Sequence, residues 1–299
     1  MTAVIHSPGT LTTIQDLGRM GQARRGLAPG GPMDREAFLW ANRLLANPIN
    51  APLLEVAFGG LTVQFMDDGL CALTGADCTA TLDDERIAPW SAVRVQAGQT
   101  LSLRYAADGN YAYLAFPGGL VAPRFLGSAS VVMREGVGLS PVRAGDELRW
   151  EGGNARPARV RPEVHARSET AFAFLPGYEW GRFSEEDQHT FLHTGWTIQP
   201  SSNRIARHLS GAQLASGPRV LDSVPLVDGT VQVPPSGRPL VFMRDRPTIG
   251  GYAKLGSVSP RDLDRLAQIR PGEAVRFKLG NPEVIRRVSS SHRSFFELR

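Results

Sequence analysis

The chain has 299 residues, of which 42% are hydrophobic and 21% charged, as in an ordinary soluble globular protein with one large domain or two smaller ones. Its 33 basic residues exceed its 29 acidic ones by only four, and no basic run is interleaved with aromatics, which argues against a nucleic-acid-binding protein. There is no N-terminal apolar leader and no long apolar run, and Cys71 and Cys78 form no metal-ligand pattern. These features predict a reduced cytoplasmic protein without a membrane span.

The first 50 residues predict a strand, a polar loop and a helix. A strand-like start at Val4 leads into TTIQDLGRMG (12–21) and a glycine-rich loop. Asp34 is the expected N-cap of a helix near 34–46, because apolar residues recur on one helical face and Asn47-Pro48 follows.

The next hundred residues have the sequence pattern of an all-β domain. Short alternating runs are broken by Gly, Asp and Pro, and the runs that suit strands are 61–65, 71–75, 79–82, 92–96, 101–105 and 111–116. A turn at 144–147 then leads into a further strand. Many short strands at this spacing predict a barrel or a sandwich.

Residues 152–167 are rich in Gly, Pro, Arg and Ala and contain almost no large apolar side chains, which predicts a linker. We therefore place an N-terminal domain at 1–155 and a C-terminal domain at 165–299. Further expected elements are a strand at 171–175, a helix from Ser184 to His193 and a strand at 196–199. The tail from Glu283 onward is basic and polar, and we expect it to be partly loose.

The stretch from Asp228 to Gly272 has the strongest signs of a functional site. Two strand-like segments, Thr230–Val233 and Leu240–Met243, precede a run of charges and glycines, and a helix follows near 260–269 with Ser259 as N-cap and Pro260 at its first position. Polar loops between ordered elements are where proteins present binding groups. A plain β-hairpin with solvated charges is the alternative.

The common catalytic and phosphate-binding motifs are absent. No GxxxxGKS/T loop, no GxGxxG after a strand and no GxSxG elbow occurs. His189 and His193 are four residues apart on the expected helix, but the glutamate of HExxH is missing, so we expect no metal site. No methionine precedes either lysine, which predicts that this chain carries no covalent biotin.

Two polar loop systems remain as site candidates. The N-terminal one holds Gln15, Asp16, Arg19 and Asp34, and the C-terminal one holds Asn203, Arg204, Gln232, Asp245, Thr248, Gly250, Gly251, Tyr252 and Lys254. Arginine forks suit carboxylates, glycine backbone N–H groups suit an oxyanion, and a lysine can stabilise developing charge. A solvated side chain is the alternative for Lys254, and turn-forming roles are the alternative for Asp16 and Asp245.

Several long motifs resemble a known family. They are TTIQDLGRMG (12–21), GGPMD (30–34), ANRLLAN (41–47), SSNRIARHL (201–209), GTVQVPPSGRPL (229–240), DRPTIGGYAKLGSV (245–258) and DLDRLAQIRPGEAVRF (262–277). The chain resembles the biotin-dependent carboxyltransferase-like family, also called allophanate hydrolase subunit 2. That family includes the C subunit of bacterial 5-oxoprolinase and the carboxyltransferase domain of urea amidolyase.

The resemblance implies a mainly β protein made of two cyclophilin-like β-barrel domains with few short helices. It also implies work with 5-oxoprolinase subunits B and A in the ATP-dependent opening of 5-oxoproline to glutamate. Since no phosphate loop is visible, we expect ATP to bind on a partner subunit or to be shared with one. Two rival functions stay open: carboxyl transfer from carboxybiotin to urea or a related amide, and a non-catalytic regulatory role.

We expect Lys254, Gln232, Tyr252 and Asp245 to be catalytic. We expect the substrate to be bound by Arg204, Asn203, Thr248, Gly250, Gly251, Gln15, Asp16 and Arg19. Two departures from the family pattern bear on the substrate: His208 stands where a second arginine is usual, and Ala129 replaces the arginine of a GSRST loop. Each removes a cationic group near the expected site.

Overall fold

The structure is a computed structural model that describes residues 1–136, 139–153, 156–160, 170–215 and 222–298. Strands predominate there, and the four α-helices of the described residues are α1 (Arg35–Leu44), α2 (Glu185–His193), α3 (Pro260–Gln268) and α4 (Pro282–Phe295). Short 3-10 turns lie at Ala23–Arg25, Met133–Glu135 and Trp180–Arg182. The expected mainly β class with few short helices is confirmed.

The chain divides into two compact units. The first comprises Met1–Arg19 and Gly30–Ala166, and the second comprises Met20–Pro29 and Arg167–Arg299. Nothing in the sequence indicated that the short segment after Arg19 groups with the second unit. Much of the expected linker, residues 154–155 and 161–167, lies outside the described residues, so the domain boundaries at 155 and 165 stay a prediction.

The strands of the first unit form two antiparallel six-stranded sheets. One has the spatial order β11 (Glu147–Arg149), β1 (Thr2–Pro8), β4 (Leu61–Phe65), β9 (Thr100–Ser102), β6 (Thr81–Leu82) and β7 (Glu85–Arg86). The other has the order β12 (Ala158–Arg159), β8 (Ser91–Val95), β5 (Gly69–Asp77), β10 (Asp108–Ala115), β3 (Leu53–Ala57) and β2 (Leu11–Gln15).

Alternation along the strands builds the core of this unit. Leu61, Val63 and Phe65 of β4 are fully buried, and the polar residues between them are only half-buried. Phe65 packs against Phe116 and Trp150 with ring centroids 6.3 and 6.4 Å away. A period of two with one apolar face is what places a strand against a core.

The second unit is a closed seven-stranded barrel. Its strands follow one another around the barrel as β13 (Ala171–Pro176), β20 (Ala253–Val258), β17 (Thr230–Val233), β18 (Leu240–Phe242), β15 (Ala206–Ser210), β14 (Trp196–Ile198) and β21 (Ala274–Leu279). β13 and β21 pair in parallel and the other neighbours are antiparallel. A separate two-stranded sheet joins β16 (Val224–Pro225) to β19 (Ile249–Gly250).

Aromatic side chains fill the core of the barrel unit. Phe191 of α2 stacks on Phe277 with ring centroids 4.8 Å apart, and it lies 4.9 Å from Phe174. All three rings are buried. Aromatic pairs of this kind add stabilisation beyond the area that they bury.

The expected helix starts are confirmed. The Asp34 side chain accepts a hydrogen bond from the Ala37 N–H, the Ser184 hydroxyl from the Asp187 N–H and the Ser259 hydroxyl from the Asp262 N–H. Each bond satisfies a backbone donor that has no partner within its own helix.

The expectation of a loose C-terminal tail is wrong, because residues from Pro282 form α4. The Asn281 side chain accepts hydrogen bonds from the N–H groups of Glu283 and Val284, at 2.9 and 3.2 Å, and Pro282 occupies the first turn. Phe296 is buried and lies 4.8 Å from the His292 ring. A cap and one buried anchor therefore order a polar segment. None of the helices in the described part of the chain is long and apolar enough to cross a membrane.

Candidate functional site

Lys254 and Gln232 face each other on neighbouring barrel strands. Residue 232 of β17 is in register with residue 254 of β20, so both side chains lie on the same face of the sheet. Val231 and Val233 alternate with Gln232 and are buried, so the amide lies on the opposite face from these apolar side chains. Lys254 is only 6% exposed and Gln232 4%, which excludes a solvated lysine.

The backbone carbonyl of Tyr252 joins these two side chains. It accepts hydrogen bonds from Gln232 Nε2 at 3.2 Å and from Lys254 Nζ at 2.8 Å. Tyr252 as a whole residue is 41% exposed. Three of the expected catalytic residues are therefore brought together, and it is the main chain of Tyr252 that connects them.

Glu179 completes this cluster, and the sequence did not point to it. Its Oε2 accepts the backbone N–H of Lys254 at 2.6 Å, and its Oε1 lies 3.7 Å from Lys254 Nζ. The residue is 2% exposed. Hydrogen bonding to Glu179 is also the main cause of the raised pKa of the exposed Tyr178, because the phenolate is disfavoured beside a carboxylate.

Gly250 packs closely against the side chains of Gln232 and Leu226. A Cβ added there would lie 2.9 Å from Gln232 Nε2 and 3.0 Å from Leu226 Cδ1. The pairing of β19 with β16 and a hydrogen bond from the Leu226 N–H to the Thr248 carbonyl, at 2.9 Å, bring the glycine to this place. Thr248, Gly250 and the partly buried Gly251 thus lie on the segment that leads to Lys254.

Arg204 and Asp245 form a buried, bidentate ion pair. Arg204 Nε donates to Asp245 Oδ2 at 2.9 Å, and a terminal guanidinium nitrogen donates to Oδ1 at 2.8 Å. Asn203 accepts the Ile205 N–H at 2.8 Å and so forms a turn just before β15. A substrate carboxylate at Arg204 would have to share the guanidinium with Asp245.

The neighbouring charges are also paired within the unit. Asp228 accepts hydrogen bonds from Arg244 and Arg246, both at 2.7 Å, and Arg244 also donates to Asp264 of α3 at 2.5 Å. The alternative of a hairpin with merely solvated charges does not describe this run. Its charges tie the end of β18 to helix α3.

The two basic residues at 207 and 208 differ in their surroundings. Arg207 is fully buried and donates to the carbonyls of Ala267 and Ile269 at the C-terminal end of α3, where a cation is favourable. His208 is in register with Leu240, which is in register with Gln232. The position where the family pattern has a second arginine therefore lies on the same cross-strand row as Gln232 and Lys254.

In the first unit, Asp16 is the centre of a buried hydrogen-bond network. Its carboxylate accepts from the hydroxyls of Ser128 and Ser130, at 2.5 and 2.7 Å, and from the N–H groups of Ala129 and Gly18, at 2.8 and 2.9 Å. Burial alone would raise the pKa of Asp16, but these hydrogen bonds outweigh it and hold the pKa below its usual value.

A cation reaches Asp16 although Ala129 replaces the usual arginine. Arg124 donates to Asp16 Oδ2 at 3.1 Å from a half-exposed position. Arg19 is buried and donates to the Ser130 carbonyl. Gln15 Nε2 donates to Thr13 Oγ1 and to the Val131 carbonyl, at 3.0 and 3.1 Å. The three expected binding residues Gln15, Asp16 and Arg19 share one structured loop system, which Ser128 and Ser130 complete.

A second buried acid in this unit also escaped the sequence analysis. Glu55 Oε2 accepts the Tyr113 hydroxyl at 2.8 Å and the Met33 N–H at 2.7 Å. The Tyr113 oxygen accepts the Asp34 N–H at 2.7 Å. Burial, then the charges of Glu55 and Asp34, raise the pKa of Tyr113. Because this network fixes the start of α1, we assign it a structural role.

The chemistry available at the Lys254 cluster is that of hydrogen-bond donation and positive charge. An ammonium group and a primary amide in a largely dry environment suit the stabilisation of an oxygen that gains negative charge. In the described part of the chain, no group of three or more His, Cys, Asp or Glu side chains is arranged to hold a metal ion.

Known proteins resemble this chain in sequence over most of its length. Residues 25–279 match the family model described as carboxyltransferase domain, subdomain A and B. The chain is 37% identical to the 5-oxoprolinase C subunit of Haemophilus influenzae, with 89% of this chain and 87% of that protein covered. It is 35% identical to the 5-oxoprolinase C subunit of Escherichia coli, with 97% and 94% covered.

Solved structures resemble the chain over almost its whole length. The crystal structure of TTHA0988 has a TM-score of 0.84 at 36% identity and covers 93% of this chain. The urea amidolyase of Kluyveromyces lactis has a TM-score of 0.91 at 25% identity and covers 99% of this chain. The chain spans only 56% of the first of these proteins and 20% of the second.

Proposed function

The chain belongs to the carboxyltransferase domain family, subdomain A and B, and we propose that it is the C subunit of an ATP-dependent 5-oxoprolinase. The observation that carries the proposal is that the alignment with 5-oxoprolinase C subunits covers most of this chain and most of each relative. The two 5-oxoprolinase relatives align over 87% and 94% of their own lengths, so the similarity takes in most of each of those proteins.

The proposed reaction opens the lactam of 5-oxoproline to give glutamate. An amide is unreactive towards water, and ATP supplies activation of its oxygen by phosphorylation. We assign Lys254 and Gln232 as donors to the oxygen that gains charge, with Tyr252 and Glu179 holding them. Arg204, which Asp245 orients, is the proposed cation for the substrate carboxylate. The other residues that we assign to substrate binding in the second unit are Asn203, Thr248, Gly250 and Gly251. Gln15, Asp16 and Arg19 are the proposed binding residues of the first unit.

We further propose that the chain acts only in a complex with subunits A and B. The relatives are themselves named as one subunit of 5-oxoprolinase, which supports other subunits in the assembly. The sequence lacks a phosphate loop, which supports a nucleotide site on a partner or shared with one. No biotin attachment is proposed on this chain.

The test is co-expression and co-purification of this chain with 5-oxoprolinase subunits A and B, followed by an assay of ADP and glutamate release. We expect 5-oxoproline to stimulate ATP hydrolysis by the assembly and negligible turnover by the chain alone. Full activity of the isolated chain would refute the proposal. So would an assembly whose ATP hydrolysis is not stimulated by 5-oxoproline.

One observation favours a second candidate, carboxyl transfer to urea or a related amide. The structural match to urea amidolyase covers 99% of this chain with a TM-score of 0.91. If that function is correct, a carboxybiotin donor will transfer CO2 to urea in the presence of this chain. In that case 5-oxoproline will be inert in the same preparation.

A further inference from the structure

We propose that Glu179 is a positioning residue for Lys254, acting through the main chain of β20. The inference rests on the proposed role of Lys254 in the reaction. Glu179 lies 75 positions before Lys254 in the chain, on the turn that follows β13. Its carboxylate touches both the backbone and the side chain of the lysine.

The carboxylate continues the hydrogen-bond ladder between β13 and β20. The paired residues run Phe174 with Val258, Leu175 with Ser257 and Pro176 with Gly256. The Gly177 N–H then donates to the Leu255 carbonyl at 2.8 Å. At the next step Glu179 Oε2 takes the place of a strand carbonyl and accepts the Lys254 N–H.

The turn that carries Glu179 is itself held firmly. The Trp180 N–H donates to the Gly177 carbonyl at 3.0 Å, which closes the turn. The Trp180 ring lies 5.4 Å from Phe174, a buried residue of β13. A carboxylate on such a support fixes its partner more closely than one on a free loop.

Of the two contacts, the hydrogen bond to the main chain is the stronger. Its length of 2.6 Å is short for an N–H donor and a carboxylate. The contact of 3.7 Å between Oε1 and Lys254 Nζ is longer than a hydrogen bond. We therefore assign the effect of Glu179 to its acceptor oxygen, which a glutamine retains.

The position of Lys254 matters because its ammonium group and the Gln232 amide share one hydrogen-bond acceptor. It donates to the Tyr252 carbonyl at 2.8 Å, and that carbonyl also holds Gln232. Loss of the Lys254 N–H bond would release the start of β20 and shift both donors. A displacement of about 1 Å can reduce turnover by about 10²-fold.

The test compares Glu179→Ala, Glu179→Asp and Glu179→Gln in the assembled enzyme. We expect the Ala and Asp variants to lower kcat by about 10- to 100-fold with little change in KM, since the shorter acid no longer reaches. The Gln variant should stay within about threefold of wild type. In a Lys254→Met background, Glu179→Ala should lower kcat by a smaller factor than it does in wild type, because only the Gln232 donor is left to displace.

Asp187→Ala is the matched control. Asp187 is also a buried acid that accepts a distant backbone N–H, that of Ala215 at 2.7 Å. It has no contact with Lys254 in the described structure, so its loss should lower thermal stability but leave kcat unchanged. A general loss of packing would instead affect both variants alike.

Hydrogen exchange gives a readout that does not depend on activity. The Lys254 amide should exchange about 10-fold faster or more in Glu179→Ala than in wild type, and at a near wild-type rate in Glu179→Gln. Any one of three results would overturn the inference. They are unchanged exchange of the Lys254 amide in Glu179→Ala, a wild-type kcat in that variant, and equal losses of kcat in the Ala and Gln variants. A wild-type kcat in Lys254→Met would instead refute the site assignment of the proposed function.

Discussion

The guanidinium of Arg204 donates two hydrogen bonds to the carboxylate of Asp245, at 2.9 and 2.8 Å, with both side chains buried. The Asp245 N–H also donates to the Arg204 carbonyl at 2.9 Å. The two residues therefore clamp the chain just before β15 to the chain just after β18. The sequence analysis predicted site residues in both of these segments.

We predict that Arg204→Ala is strongly destabilising. Removal of one partner from a buried ion pair leaves an uncompensated charge and costs about 3–5 kcal/mol. Urea unfolding should show this loss, whereas Arg238→Ala, at an exposed arginine of the same unit, should be nearly neutral. A stable Arg204→Ala variant with only a raised KM would show that substrate binding is the main role of this arginine.

The stability contributed by Asp16 should depend on pH. Its pKa in the folded state is held below the unfolded value of about 3.9. The stabilisation by Asp16 is therefore fully present above the unfolded pKa of about 3.9. It is lost as the pH falls through the lower pKa of the folded state.

Asp16→Asn should cost about 3 kcal/mol or more at neutral pH, since several hydrogen bonds to a charged acceptor are lost. The difference in the free energy of unfolding between Asp16→Asn and wild type should become smaller when urea unfolding is repeated at lower pH. Asp83→Asn, at an exposed acid that accepts the Thr100 N–H at 2.8 Å, is the control and should change little. A gap that stays constant with pH would contradict this account of Asp16.

The two thiols should be unreactive in the folded protein. Burial raises the pKa of Cys71 to about 12, and Cys78 is also buried. Since the thiolate is the nucleophile, a colorimetric thiol reagent at pH 8 should detect both only after denaturation. Rapid labelling of the native protein would show that the first unit opens readily.

Asn281→Ala should loosen helix α4. The Asn281 side chain accepts two backbone N–H bonds at the helix start, and loss of such a cap costs about 1 kcal/mol. Faster hydrogen exchange confined to 282–296 is expected, and Asn281→Asp should restore protection. Unchanged exchange in the Ala variant would mean that Phe296 alone holds the helix.

Local patterns predicted the elements better than they predicted the site. The alternation in β4 and the caps at Asp34 and Ser259 act over a few residues, so they can be read from the sequence. The pairing of Glu179 with Lys254 depends on how distant strands meet, and no spacing encodes it.

The same limit explains the loops around Asp16 and α4. Ser128 and Ser130 looked like ordinary loop residues, yet their hydroxyls converge on the Asp16 carboxylate. The polar tail looked loose because its anchor, Phe296, is a single residue at the far end. Individual contacts between distant segments leave no periodic trace in a sequence.

The most direct test of the Lys254 site uses the fact that the chain has only two lysines, Lys254 and Lys278. Lys254 is 6% exposed at the proposed site, and Lys278 lies on an exposed position of β21. The measurement is kcat for 5-oxoproline-dependent ATP hydrolysis by assembled enzyme carrying Lys254→Met or Lys278→Met. Loss of a donor aimed at developing charge should lower kcat by about 10²–10³ in the first variant and leave the second unchanged. Equal activity in both variants would contradict the assignment of Lys254 to the reaction.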